Sequence, residues 1–239
     1  MIEAKNISFK YKKSDKFSID DISLGVEEGM ISCLLGKNGC GKTTVLKLLY
    51  GMLTPKSGNV YFGGDKMCPR TLPAYHEKVA FTGHCWCDTD LTLEHNVEIL
   101  SILYPDFDHN YYVRLIKKAG LEDKADKIYA NFSAGEKVKA EIVFALARHP
   151  KLLLMDEPLA YLDPVFKTDV IELLQDEVAT GGLGILLSTH LLDEINDITD
   201  RIFLLDKGRL VSGGDRFEVL GDKEDTDLRD AVKNMGKEA

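Results

Sequence analysis

The first 65 residues alternate between apolar and polar positions, with short turns between the runs. This period of two predicts strands at residues 7–11, 17–27 and 59–62. A fully apolar run at residues 30–35 predicts a buried strand, and residues 44–49 have the spacing of an amphipathic helix. The chain therefore begins with a strand-rich region that leads into one strand–loop–helix unit.

The period becomes helical between residues 92 and 147, after another short predicted strand at residues 78–82. Leu93, Val97, Leu100 and Leu103 fall on one face of a first predicted helix. A second helix is predicted at residues 109–119, where Gly120 stops it. This pattern predicts a mostly helical subdomain inserted in a strand-rich core.

Apolar strands return in the last third of the chain. The predicted strands and helices there are 151–156, 164–180, 184–188, 191–198, 201–206 and 209–212. We predict one catalytic core from residues 1–84 and 148–218, a helical subdomain at 85–147, and a charged tail at 219–239.

Composition narrows the class of protein. The chain has 239 residues, of which 44% are hydrophobic, as expected of a globular protein with a core. No apolar run approaches the roughly 18 residues of a membrane span, and the N-terminus lacks the apolar region of a signal peptide. We therefore expect a cytoplasmic protein. A net charge of −9 argues against nucleic acid as the main partner.

The five cysteines show neither paired metal spacing nor a disulfide framework. Cys33 lies in a predicted strand and is expected in the core. Cys40 lies in a glycine-rich loop that needs a small side chain, and a low-pKa thiol open to oxidation is an alternative there.

That loop is Gly-Lys-Asn-Gly-Cys-Gly-Lys-Thr, residues 36–43, here called the phosphate loop. Its glycines let backbone N–H groups curl around an anion, and the following helix adds the positive end of its dipole. Lys42 would reach the β- and γ-phosphates, and the Thr43 hydroxyl would ligate Mg²⁺. The strand–loop–helix unit therefore predicts binding of a nucleoside triphosphate.

A second chemical pattern lies at the end of an apolar strand. Residues 152–157 are Leu-Leu-Leu-Met-Asp-Glu, so two acidic residues follow the apolar run directly. Asp156 would hold Mg²⁺, and Glu157 would polarise the attacking water as general base. A further predicted strand leads to His190.

Between these patterns lies Asn-Phe-Ser-Ala-Gly-Glu, residues 131–136, of which 132–136 are here called the signature segment. The order of phosphate loop, signature segment, acidic strand and His190 resembles that of ABC-type ATPases, from Tyr11 to about Gly214. The resemblance implies an α/β fold: a P-loop NTPase of ABC type, with a mixed β-core, N-terminal antiparallel strands and an inserted helical subdomain.

The resemblance also implies roles for single residues. Tyr11 is similar to the aromatic residue that stacks on adenine, although a core tyrosine is the alternative. Ser133 and Gly135 match the segment that closes over the γ-phosphate held by the other protomer. Asp163 matches a residue linking the two sites of a dimer, and His190 one that contacts γ-phosphate. The residues matching the phosphate-binding loop are Gly36, Asn38, Gly39, Cys40, Gly41, Lys42, Thr43 and Thr44.

Four positions depart from the family pattern: Phe132, Ala134, Glu136 and His84. The signature segment is Phe-Ser-Ala-Gly-Glu where Leu-Ser-Gly-Gly-Gln is common, so Ala134 adds a methyl group and Glu136 adds an acid beside the nucleotide. In the loop after residue 83, the usual Mg²⁺-bridging glutamine is replaced by His84, whose protonation depends on pH.

The function implied is hydrolysis of ATP, with Mg²⁺, to ADP and phosphate. Two copies would pack head to tail with ATP in the seam and would power membrane-spanning permease subunits on separate chains, with export favoured by analogy. Trp86 is either a contact for the permease or a buried aromatic. The protein would lie on the cytoplasmic face of the membrane.

Two other classes of protein share parts of this motif pattern. A soluble iron–sulfur assembly ATPase has a similar cassette and is the alternative. A small-molecule kinase or GTPase fits poorly, because the chain lacks an Asn-Lys-x-Asp guanine motif and such enzymes have no use for the signature segment. The transported substrate, and whether the cassette pairs with itself or with a paralogue, stay open.

Overall fold

The structure, a computed structural model, describes residues 1–12, 18–83, 87–160, 162–191 and 198–220. Within these residues the strands are β1 (Ile2–Phe9), β2 (Ile19–Val26), β3 (Ile31–Leu35), β4 (Ser57–Phe62), β5 (Asp65–Lys66), β6 (Val79–Thr82), β7 (Leu152–Asp156), β8 (Gly184–Thr189), β9 (Arg201–Asp206) and β10 (Arg209–Asp215). The helices are α1 (Lys42–Tyr50), α2 (Leu72–Lys78), α3 (Leu93–Leu103), α4 (His109–Lys118), α5 (Ala134–Leu146), α6 (Pro164–Gly181) and α7 (Arg216–Leu220).

The described strands form two sheets. A four-stranded antiparallel sheet has the order β2-β1-β4-β5, and a six-stranded sheet has the order β10-β9-β3-β8-β7-β6. In the larger sheet β3, β6, β7, β8 and β9 run parallel, and β10 pairs antiparallel with β9 at the edge. The predicted mixed β-core with N-terminal antiparallel strands is confirmed.

Helix α1 lies between the two sheets. Its Val45, Leu46, Leu48 and Leu49 belong to one hydrophobic cluster with side chains from both sheets. Because successive side chains of a strand point to opposite faces, Leu34 of β3 joins this cluster while its neighbours face away. The helix is thereby fixed with its N-terminus at the carboxyl end of β3, where ligands bind in open α/β sheets.

The opposite face of the larger sheet packs against helices. Cys33 and Leu35 of β3, with Leu153 and Met155 of β7, share a cluster with buried side chains from α3, α4, α5 and α6. Cys33 is fully buried, as predicted. Within the described residues, no helix has both the length and the apolar character needed to cross a membrane.

Several element predictions need correction. β1 begins at Ile2 and not at residue 7, because it pairs along its length with β2 and β4. Helix α2 was not predicted. Leu103 is 64% exposed and does not share the buried face of α3, where Asn96 is buried and donates to the carbonyl oxygens of Asp88 and Thr92.

Some predictions are not tested by the described residues. Most of the predicted helix at 191–198 lies outside them, and so do His84, Cys85 and Trp86. Of the predicted tail, residues 221–239 lie outside them too. The predicted division into a core at 1–84 and 148–218 and a subdomain at 85–147 stays a prediction.

Candidate active site

The phosphate loop connects β3 to α1 at the centre of the larger sheet. The Gly36 N–H donates to the Thr189 carbonyl oxygen at 3.2 Å, which ties the start of the loop to β8. A Cβ at Gly36 would lie 2.4 Å from the Leu205 carbonyl oxygen, so only glycine fits there. Gly41 holds the N-cap of α1 with φ 116° and has no side chain to cap the first turn. The first N–H groups of α1 are therefore left to bind an anion.

Lys42 is the charged residue at the centre of the site and is only 5% exposed. Its Nζ donates to the Gly36 carbonyl oxygen at 2.7 Å and to the Lys37 carbonyl oxygen at 3.3 Å. It also lies 3.1 Å from Glu157 Oε1. These contacts hold a buried cation beneath the phosphate loop, where it is paired with a carboxylate.

Asp156 and Thr43 meet across the sheet, although 113 positions separate them in the chain. The Thr43 hydroxyl donates to Asp156 Oδ2 at 2.7 Å, and the Ser188 hydroxyl donates to Asp156 Oδ1 at 2.7 Å. Both prospective Mg²⁺ ligands are hard oxygen donors at one point, which suits an ion that keeps several waters and takes few protein ligands. Among the described residues, no group of three or more His, Cys, Asp or Glu residues could hold a metal ion.

Glu157 lies between Lys42 and His190, the two residues predicted to contact the γ-phosphate. One carboxylate oxygen faces Lys42, and the other accepts a hydrogen bond of 2.8 Å from His190 Nδ1. Since a carboxylate only accepts hydrogen bonds, Nδ1 carries the proton of this contact. The backbone of Glu157 has φ 48°, an uncommon value for a non-glycine residue, and its N–H donates to the Ser188 hydroxyl at 3.1 Å. Such strain is typical of functional positions.

Tyr11 lies at the edge of this constellation. It is 43% exposed, which excludes the alternative of a core tyrosine. Its hydroxyl lies 3.3 Å from Thr44 Oγ1, and its ring packs edge-on against Phe9. The structure thus brings the exposed Tyr11 to Thr44, the residue that follows the phosphate loop.

The remaining phosphate-loop residues divide by exposure. Asn38 and Gly39 are exposed at the tip of the loop, and Cys40 is buried below it. Burial raises the pKa of the Cys40 thiol above its ordinary value, and the nearby Lys42 ammonium opposes this effect. The alternative of a low-pKa thiol at Cys40 is therefore wrong.

The signature segment starts α5. Ser133 is the N-cap and accepts a hydrogen bond from the Glu136 N–H, while Glu136 accepts one from the Ser133 N–H at 2.8 Å. Ser133 is exposed, and Gly135 is half-buried in the first turn. Among the described residues, no hydrogen bond or ion pair joins the signature segment to the phosphate loop. The structure does not bring these two predicted anion sites together within one chain.

Asp163 is the N-cap of α6 and accepts a hydrogen bond from the Phe166 N–H at 3.0 Å. Asp163 is exposed, and Val165, two positions further along the chain, is 75% exposed. The local structure thus explains Asp163 as a helix cap, and its proposed role between two protomers stays a prediction.

Two functional candidates were missed by the sequence analysis. The Ser188 hydroxyl forms hydrogen bonds with both acidic residues of the site. The sequence signal that could have indicated Ser188 was a polar residue near the end of an apolar strand. Glu141 of α5 accepts a hydrogen bond of 2.7 Å from the Gly83 N–H, directly after β6. A Cβ at Gly83 would meet Asp156 Cβ at 2.8 Å, so α5 contacts the chain beside the acidic strand. The signal in the sequence that could have indicated Glu141 was an acidic residue beside the apolar half of α5.

The fold and the site together define a P-loop ATPase of the ABC type. Residues 19–160 match the sequence profile of the ABC transporter family. The chain belongs to that family, which confirms the resemblance.

Individual relatives agree with this assignment. The energy-coupling factor transporter ATP-binding protein EcfA1 of Mycoplasma mobile is 31% identical over 92% of this chain and 82% of its own length. The methionine import ATP-binding protein MetN of Mannheimia succiniciproducens is 31% identical over 92% of this chain and 66% of its own length. The lipopolysaccharide export system ATP-binding protein LptB of Haemophilus influenzae is 28% identical over 94% of each chain.

Solved structures have the same fold. One described as the structure of an ATP-binding subunit of an ABC transporter has a TM-score of 0.89 and 27% identity, covering 99% of both chains. A dimeric ATP-binding cassette in a post-hydrolysis state bound to ADP and Pi has a TM-score of 0.81 over 90% of this chain and 98% of its own. Its identity of 24% supports the fold alone.

Proposed function

We propose that this chain binds and hydrolyses ATP and thereby powers a membrane transporter whose spanning subunits are separate polypeptides. One observation carries the proposal: Glu157 joins Lys42 by an ion pair and His190 by a hydrogen bond, beside the hydrogen-bonded Thr43 and Asp156. A phosphate-binding cation, a prospective base and a prospective Mg²⁺ site are thus held at the end of one sheet.

Each of these residues has one proposed task. The N–H groups of the loop and of α1, with Lys42, bind the β- and γ-phosphates. Thr43 and Asp156 would hold Mg²⁺, which supplies neutralisation of phosphate charge. Glu157 accepts a proton from the attacking water, and His190 stabilises the charge on the γ-phosphate. Because Glu157 is paired with Lys42 in this structure, phosphate must compete with it for the same ammonium group.

Two copies would complete the site. The signature segment is exposed and presents a helix N-terminus, but it is not joined to the phosphate loop of its own chain. Packing two copies head to tail places each signature segment over the other's nucleotide, with the exposed Asp163 and Val165 in the seam. ATP then binds the closed dimer better than the open one, and hydrolysis reverses the preference.

A surface of the helical part is proposed to dock the membrane partner. A groove of about 620 Å³ runs between α3 and α4 and is lined by Val97, Tyr112 and Val113 among others. Val113 is 60% exposed, and Ile102 and Leu103 at the end of α3 are 80% and 64% exposed. An apolar groove with exposed apolar side chains beside it suits an amphipathic helix from the permease. The chain would then lie at the cytoplasmic face of the membrane.

A relative named for import is 31% identical to this chain, and one named for export is 28% identical. The proposal therefore includes the ATP-driven step that both share and does not assign a direction of transport. The relatives reported above are named as transporter components, which favours a membrane partner over the iron–sulfur assembly alternative.

The partner prediction is tested by recovering the tagged protein from its host in mild detergent. We expect a multi-span membrane protein in stoichiometric amount, and we expect Val113→Asp to lose it because the charge enters the apolar groove. Val211→Asp is the matched control, since Val211 is 46% exposed on the edge strand β10 and does not line this groove. Recovery of a soluble protein alone, or equal losses with both variants, would contradict the proposed docking surface.

The adenine site gives a further prediction. Tyr11→Ala should weaken ATP binding roughly 5- to 150-fold, because stacking of a base on an aromatic ring is worth about 1–3 kcal/mol. Tyr11→Phe should stay close to the wild type, since it keeps the ring and loses only the contact with Thr44. Titration calorimetry with ATP and with inorganic triphosphate checks the cause. If Tyr11→Ala weakens both ligands equally, Tyr11 supports the phosphate loop and does not bind the base.

A further inference from the structure

Glu136 carries a negative charge into the first turn of the helix that is proposed to bind phosphate. Its Oε2 accepts the Ser133 N–H at 2.8 Å, which completes the capping box. Its other carboxylate oxygen accepts a hydrogen bond from Lys124 Nζ. Lys124 ends a 3-10 turn, Glu122–Lys124, that precedes α5 in the chain.

The pair is partly shielded from water. The side chain of Lys124 is 22% exposed and that of Glu136 is 23% exposed. Solvent screening is weaker for such a pair than for one on the open surface. Both oxygens of the Glu136 carboxylate are occupied: one accepts the Ser133 N–H of the helix cap, and the other is paired with the Lys124 ammonium group.

The charge balance at this position matters for anion binding. The N-terminus of a helix is equivalent to roughly half a positive charge, so an unpaired carboxylate in its first turn would outweigh it. A phosphate approaching Ser133 would then be repelled. With Lys124 on Glu136 the two full charges cancel, and the helix end again attracts an anion.

We propose that Lys124 is a positioning residue of the signature segment: by neutralising Glu136 and fixing its capping geometry, it lets Ser133 and the α5 N-terminus bind the terminal phosphate of a nucleotide held by a second copy. The inference rests on the proposed function. It also accounts for Glu136 at the position where a neutral glutamine is common. A glutamine there would carry no charge to neutralise, whereas the charge of Glu136 is neutralised by Lys124.

A double-mutant cycle tests the dependence of Lys124 on Glu136. Lys124→Met, Glu136→Gln and the double variant are compared with the wild type for ATP-dependent dimer formation, by sedimentation velocity, and for the ATP concentration giving half-maximal turnover. We expect Lys124→Met to weaken dimer formation roughly tenfold, equivalent to about 1.4 kcal/mol. In the Glu136→Gln background the same change should have an effect less than about twofold, because no carboxylate is left to neutralise.

Lys137→Met is the matched control. Lys137 follows Glu136 in α5, and its ammonium group donates to the Ala130 carbonyl oxygen at 3.2 Å instead of pairing with Glu136. Lys137→Met also removes one lysine charge near the N-terminus of α5, but not one paired with Glu136, so its effect should be equal in both backgrounds. ATP binding by monomers should be unchanged in Lys124→Met, because the phosphate loop is untouched.

The outcomes separate the inference from the function on which it rests. An equal effect of Lys124→Met in both backgrounds, or no effect at all, overturns the role of Lys124 and leaves the ATPase proposal intact. Weakened ATP binding by Lys124→Met monomers assigns Lys124 to general stability and overturns it too. If the wild type forms no ATP-dependent dimer and hydrolyses no ATP, the proposed function fails, and the inference fails with it.

Discussion

Glu157→Gln should lower ATP turnover about 10²- to 10⁴-fold, the usual contribution of a general base, while ATP-dependent dimers persist. The amide has almost the same shape as the carboxylate but cannot accept a proton from water. In the structure the carboxylate is already positioned, with one oxygen 3.1 Å from Lys42 and the other 2.8 Å from His190. The variant also removes the group that competes with phosphate for Lys42, so ATP affinity should be kept or increased.

Steady-state phosphate release measures the turnover, and sedimentation with ATP measures the dimer. Glu172→Gln is the control, because Glu172 is an exposed acid on α6 outside the site. Turnover within a few-fold of the wild type would assign the base to another group. Loss of the dimer together with turnover would show that Glu157 supports closure of the site more than the chemistry.

Much of the site could be predicted because its chemistry is local in the sequence. Residues 36–43 directly follow the apolar strand β3, and residues 152–157 include the apolar strand β7, so the pattern of apolar residues locates the loop and the acids at strand ends. Parallel strands of one sheet end at the same edge, which is why Lys42 and Glu157 meet. The apolar strands β3, β7 and β8 were predicted within a residue or two because burial on both faces leaves an unbroken apolar run.

What escaped prediction depends on contacts between distant segments. Ser188 was counted only as part of a strand, yet its hydroxyl bonds both acidic residues of the site. The contact between Glu141 and Gly83 joins α5 to the end of β6, and no spacing in the sequence encodes it. The proposed role of Lys124 likewise could not be predicted from the sequence, because it depends on the contact of Lys124 with Glu136 in the folded chain. Such pairings follow from the tertiary fold and not from local periodicity.

Errors in single elements have the same physical origin. Leu103 has the correct helical spacing for a buried face but lies in the last turn of α3, beyond the packing of the helix on its neighbours. Helix α2 is only seven residues long, too short for a clear period, and is held by tertiary bonds such as that of the Tyr75 hydroxyl to the Leu49 carbonyl oxygen.

The largest loss of binding is expected for Lys42→Ala. Hydrogen bonds to charged groups contribute about 1.5–3 kcal/mol each, so ATP affinity should fall at least roughly 10- to 150-fold. The structure adds a second cause. Without Lys42, the Glu157 carboxylate loses its buried cation and faces the incoming phosphate with an uncompensated charge. The double variant Lys42→Ala with Glu157→Gln should therefore bind ATP better than Lys42→Ala alone.

Lys47→Ala is the control for this prediction. Lys47 is a half-buried lysine on the same helix, five residues after Lys42 and therefore more than one helical turn from the site. Thermal unfolding establishes that each variant is folded, and calorimetric titration with ATP gives the affinities. Wild-type affinity in Lys42→Ala would remove the phosphate loop as the nucleotide site. A loss that Glu157→Gln does not relieve would show that Lys42 acts through its own bonds to phosphate, and that the pair with Glu157 does not oppose binding.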